Sequence, residues 1–146
     1  MLDTLLLPAS PLDYLITRGK LGRDEIDRAL SLSDETGEPV ELALLDLGLV
    51  SEEDLVWALS RTFGLQTIGA EEFPAEPVLA GLSAHFLKSF QVLPIAVDEA
   101  GLILAMALPG NDYAAEAMAS FADRPVTRVV AGAAAIGAAL ERLYPE

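Results

Sequence analysis

The stretch Leu44-Leu45-Asp46-Leu47-Gly48-Leu49-Val50-Ser51-Glu52-Glu53-Asp54-Leu55 decides the reading of the first half of the chain. With Val40, the leucines 44, 45 and 47 recur at helical spacing and stop at Gly48, a residue that tolerates the left-handed backbone of a helix end. A new helix then starts. Ser51 can cap its free amides, Asp54 can reach back as in a capping box, and Val50 can pack on Leu55. Glu52 and Glu53 set negative charge against the positive end of the helix dipole. Leu55, Ala58 and Leu59 carry the period on to about Phe63, and Gly64 follows.

The same pattern occurs once before, offset by about 29 residues. Leu15 corresponds to Leu44, Ile16 to Leu45, Gly19 to Gly48 and Leu21 to Val50. Glu25 matches Asp54, Ile26 matches Leu55, and Ala29-Leu30 matches Ala58-Leu59. A glycine and an acidic cap residue falling in register predict two helical hairpins, four helices in all. The sequence read this way has a leader over 1–10, a tandem-hairpin subdomain over 11–65 and a solvated linker over 66–80. The linker is marked by Gly69, Pro74, Pro77 and three glutamates, with one short turn.

Beyond the linker, 81–146 read as a small α/β subdomain. A helix over 83–90 turns Phe86, Leu87 and Phe90 inward. Strands over 92–97 and 102–107 are joined by a turn at 98–101 and form an antiparallel hairpin. A helix over 113–121 sets Tyr113, Ala117, Met118 and Phe121 on one side. A third strand covers 126–130. A closing helix over 133–144 buries Ile136, Leu140 and Leu143. The fold class is α+β: tandem helical hairpins, then a sheet of about three strands flanked by helices.

The composition narrows the function. At 52% hydrophobic, the 146 residues can build a real core. A net charge of −14 argues against nucleic acid as a partner. There is no cysteine, which removes disulfides, thiolate chemistry and most zinc sites. The apolar run Leu5-Leu6-Leu7 has no basic residue before it and meets Pro8 at once, so it is no signal peptide. The apolar stretch 129–140 is too short to span a bilayer, which takes about 20 residues.

No catalytic constellation is legible. Gly19-Lys20 is followed by Leu21 and lacks the upstream glycine of a P-loop. His85 is the single histidine and reads as structural. A nucleophile would need it as the only available imidazole base. The pairs Asp24-Glu25 and Glu52-Glu53 are explained by helix starts, and no acidic cluster suggests Mg²⁺. Trp57 reads as core. The sequence implies no enzyme and no cofactor. Two features suit a docking surface for a partner: the apolar Leu5, Leu6 and Leu7, and the basic Arg18, Lys20, Arg23 and Arg28.

The residues also resemble a family. The repeats Leu15-Ile16-x-x-Gly19-x-Leu21 and Leu44-Leu45-x-x-Gly48-x-Val50 resemble the amino-terminal (MshEN-like) domain of type II secretion and type IV pilus ATPases. Phe86-Leu87-Lys88-x-Phe90, Val92-Leu93-Pro94-Ile95 and Ala105-Met106-Ala107-x-Pro109-x-Asn111-Asp112-Tyr113 look like the type II secretion subgroup. The resemblance implies a non-catalytic tether, cytoplasmic and peripheral to the inner membrane. It would bind the cytoplasmic domain of the inner-membrane platform protein and precede the ATPase domain of its own chain. One branch of the family binds cyclic di-GMP through repeats that open with Arg-Leu-Gly and close with Gln. Here the arginine positions fall on Ser10 and Pro39, and the closing glutamines on Ser33 and Thr62. Neither serine nor proline supplies the stacking and charge-assisted bonds of a guanidinium. Such modules also occur fused to membrane glycosyltransferases.

Overall fold

The computed structural model describes residues 10–145. The chain divides into two compact units, Met1–Thr62 and Phe63–Glu146.

The first unit is helical: α1 (Pro11–Thr17), α2 (Arg23–Thr36), α3 (Val40–Asp46) and α4, which runs from Glu52 to Phe63. The sequence repeat is a repeat of backbone chemistry. After α1 the Gly19 amide donates to the Ile16 carbonyl and the Lys20 amide to that of Leu15. After α3 the Gly48 amide donates to Leu45 and the Leu49 amide to Leu44. Both ends are Schellman motifs, and the left-handed residue is Gly19 at φ 72° and Gly48 at φ 70°. Two helix starts are capped as their sequences indicate. Ser51 Oγ accepts from the Asp54 amide at 3.0 Å, and Glu25 Oε1 accepts from the Gly22 amide at 2.8 Å. The Asp54 carboxylate does not close the box; it lies 3.8 Å from Lys20 Nζ.

Burial is less symmetric than the repeat. Leu15, Leu44, Ala29 and Ala58 are fully buried, and so is most of Leu59. Ile16 and Leu30, their apolar companions in the first copy, are each 46% exposed.

The second unit opens with a 3-10 turn (Ala70–Glu72) and continues α5 (Ala84–Phe90), β1 (Val92–Asp98), β2 (Gly101–Met106), α6 (Asp112–Ala122), β3 (Val126–Val130) and α7 (Ala133–Leu143). The sheet order is β1-β2-β3. β1 and β2 are antiparallel, with Asp98 opposite Gly101. Their turn is held by the Asp98 carboxylate, which accepts from the amides of Ala100 and Gly101 at 2.8 and 3.1 Å. β2 and β3 are parallel, which requires a crossover, and α6 supplies it. Leu104, Ala105 and Met106 are all fully buried, so both faces of β2 are covered at that end.

Two expectations need correction here. The segment expected as a solvated linker is tied to the sheet. The Ile68 amide donates to the Val130 carbonyl and the Val130 amide to that of Gln66, both at 2.9 Å, and Thr67 bridges Val130 in parallel. Backbone pairing needs no side-chain pattern, so the periodicity did not reveal it. On α6, Tyr113 and Phe121 do not share the side of Met118, which is buried; they are 66% and 51% exposed. The buried stripe is Ala114, Ala115 and Met118. The small alanines bring α6 close to the sheet, leaving its aromatics outside.

Candidate functional site

Of the residues singled out for docking, Leu5, Leu6 and Leu7 lie outside the described residues. The four basic ones separate. Arg23 opens α2 and Arg28 sits five positions on, about 140° around the helix, so the two do not share a face. Both are exposed. Arg18 and Lys20 instead converge on α4.

Their meeting point is Trp57, the chain's only tryptophan. It is half-buried and not in the core as its residue type suggested. The Arg18 guanidinium carbon lies 4.5 Å from the centre of the indole, and that of Arg61, one turn further along α4, lies 5.8 Å away. Both are within cation–π range, about 6 Å. Tyr14 approaches edge-on, its ring centre 5.8 Å from the indole. The Schellman turn after α1 places Arg18 and Lys20 here, and the i,i+4 spacing of α4 places Arg61. A shallow cavity of about 190 Å³ opens between Arg18, Lys20, Glu53, Asp54 and Trp57. Arg61 was not singled out from the sequence. Its signal was the spacing Trp57-x-x-x-Arg61, which suits a cation over a ring on one helix face.

The second unit carries a different feature: an apolar groove of about 290 Å³ between α5 and α6, lined by Leu82, Phe86, Ala117, Met118 and Phe121 among others. Beside it, Phe86, Phe90 and Tyr113 form a row with ring centres 4.7 and 5.6 Å apart.

Neither feature assembles catalytic geometry. His85 is exposed, and its Nε2 lies 3.4 Å from Ser89 Oγ one turn along α5. No third group orients the ring among the hydrogen bonds of that helix. Among the described residues no group of three or more His, Asp or Glu side chains could hold a metal ion. Among the described residues two groups are displaced from their ordinary pKa. Glu38 is raised, first by a hydrogen bond with Asp46, then by desolvation and by the Asp46 charge. Burial raises Tyr144, whose hydroxyl donates to the Leu79 carbonyl. No helix among the described residues is long and apolar enough to cross a membrane.

Residues 63–146, more than half of the chain, match the model of the MshEN domain. The chain belongs to the MshEN domain family. It is 32% identical over 137 residues to type II secretion system protein E of Xanthomonas campestris pv. campestris, covering 90% of this chain and 24% of the relative. It is 24% identical over 135 residues to the type IV pilus assembly ATPase PilB of Myxococcus xanthus, covering 92% of this chain and 24% of the relative. This MshEN chain therefore spans about a quarter of the length of these relatives. Its fold is similar to that of the N-terminal domain of XpsE, with a TM-score of 0.81, 30% identity and coverage of 92% and 93% of the two chains. It also shares its fold with MshE solved with cdg, at a TM-score of 0.70 and 23% identity over 94% of this chain and all of the other. The α+β architecture and the resemblance to secretion-ATPase N-terminal regions both stand.

Proposed function

We propose that this MshEN domain is the docking module of a type II secretion ATPase, working in the cytoplasm against the inner membrane. It holds the motor to the cytoplasmic domain of the platform protein and performs no chemistry itself. The observation that carries this reading is the likeness to the N-terminal domain of XpsE over more than nine-tenths of both chains, joined to the sequence likeness to a type II secretion protein E. The half-exposed tryptophan–arginine cluster and the apolar groove give it surfaces of the kind that interfaces use.

The test is calorimetric titration of the purified domain with the cytoplasmic domain of the platform protein from the same organism. Saturable one-to-one binding is expected. No heat and no co-elution at tens of micromolar would overturn the reading.

Cyclic di-GMP sensing is the second reading, favoured by the shared fold with MshE solved with cdg. The residues at the arginine positions of that branch speak against it. Ser10 caps α1, its Oγ accepting from the Asp13 amide at 3.3 Å, and Pro39 stands at the N-cap of α3. Neither has a cationic fork to offer a phosphate.

A further inference from the structure

We infer that the cluster around Trp57 is a recognition site for a short acidic polypeptide segment, and that this segment is how a docking partner engages the domain. The inference rests on the docking reading above for its biological partner, but the site is argued from its own geometry.

Three of the five cations of the first unit gather at one indole: Arg18, Lys20 and Arg61. Lys20 is engaged with Asp54. The two guanidiniums make no ion pair among the described residues; what holds them is the face of Trp57. A guanidinium held over a ring still has its fork of N–H groups to offer a carboxylate. Less side-chain entropy is then lost on binding than for a free arginine. The half-exposed indole and Tyr14 add apolar area beside the charges, which is the composition of an interface anchor.

Charge decides what kind of anion fits. The chain as a whole is at −14, so an extended anionic surface, a membrane or a nucleic acid, is repelled over its whole length. A short segment senses charges only within a Debye length, about 8 Å at physiological salt. Within the cluster, three cations face Glu53 and Asp54, a local excess of positive charge on an acidic molecule. One or two carboxylates flanking an apolar side chain match it: the carboxylates bridge Arg18 and Arg61, and the apolar group rests on the indole.

Because Trp57 is the only tryptophan, fluorescence excited at the red edge, where tyrosine does not absorb, reports on this site alone. The probe is a blocked twelve-residue peptide of alternating glutamate and leucine, titrated into the whole chain. The same series uses an alternating lysine and leucine peptide, inorganic phosphate, and vesicles of phosphatidylglycerol. A saturable change is expected with the glutamate peptide alone. It should weaken at least tenfold in the double variant R18A/R61A, weaken less in R18K/R61K, and fade with added salt. Circular dichroism checks that the exposed substitutions leave the fold intact. No saturable change with the glutamate peptide, or equal affinity in R18A/R61A, overturns the inference. A response to phosphate or vesicles instead overturns it in favour of a phosphate-bearing ligand. The platform domain provides a separate readout. If it binds wild type and R18A/R61A equally, docking stands and this site is not its surface. If it binds neither while the glutamate peptide titrates Trp57, the site stands and docking to that protein fails.

Discussion

The carbonyl oxygen of Pro125 lies 2.8 Å from where a Cβ on Gly101 would stand. That carbonyl also accepts the Leu102 amide at 2.9 Å, the hydrogen bond that starts the pairing of β2 with β3. The approach is backbone against backbone, so no side chain can swing aside. Gly101→Ala should cost about 1–3 kcal/mol, as overpacked sites do. Urea unfolding followed by circular dichroism would register it; an unchanged midpoint would show that the turn yields without loss.

Arg128 joins β3 to the start of α6. Its Nη1 donates at 2.8 Å to the Pro109 carbonyl and at 2.8 Å to Asp112 Oδ1. Pro109 is buried, while Asp112 is 72% exposed. Arg128→Ala should therefore cost about 1–3 kcal/mol by stranding the carbonyl. Asp112→Ala should cost less, about 0–1 kcal/mol for an exposed ion pair. Comparable losses in thermal denaturation would contradict this ordering.

Tyr144 sets a pH dependence. Its hydroxyl donates to the Leu79 carbonyl at 3.3 Å, and burial raises its pKa above the ordinary value of 10.0. The folded state thus favours the protonated phenol. Its contribution is whole below the unfolded pKa and is lost as pH rises through the folded one. Tyr144→Phe should lower stability at pH 7 by about 0.5–1.5 kcal/mol, the worth of one hydrogen bond. It should also flatten the loss of stability above pH 10. A Tm that falls as steeply in the variant as in wild type over that alkaline range would refute the assignment.

Cyclic di-GMP should give no saturable heat with this domain at ligand concentrations up to tens of micromolar. Ser10→Arg with Pro39→Arg, which restores the two guanidiniums, is the informative counterpart. Micromolar binding by the unaltered chain would show that other groups replace them.

What could be read from the sequence was local chemistry with a single solution. Gly19 and Gly48 were legible because a Schellman end admits few residues at its left-handed position, and Ser51 because a cap uses a short acceptor. The hairpin at Asp98–Gly101 was legible from two apolar runs separated by a polar break. Choices set by tertiary packing were not. On α6, two apolar stripes compete, one of alanines and Met118 and one of Tyr113 and Phe121, and periodicity cannot say which faces the sheet. By residue type Trp57 reads as core, yet it is half-buried with Arg18 and Arg61 over its ring. The basic residues were grouped by nearness in sequence, whereas helix geometry separates Arg23 from Arg28 and brings in Arg61 from another helix. The linker's pairing with β3 was hidden because its partner, Val130, lies more than sixty residues away.

That pairing has a consequence for the exposed edges of the sheet. A three-stranded sheet has two edges, each a template for adventitious strand addition by a neighbour. Gln66–Ile68 occupies the free side of β3 at Val130, closing part of one edge from within the same chain. β1, the other edge, carries Pro94, which has no amide to donate, and an irregularity between Pro94 and Ala96 that leaves Ile95 out of register. The strand also ends on Asp98, whose carboxylate is spent on its own turn. One edge is thus partly capped and the other blunted, a safeguard against edge-to-edge strand addition between copies of this domain.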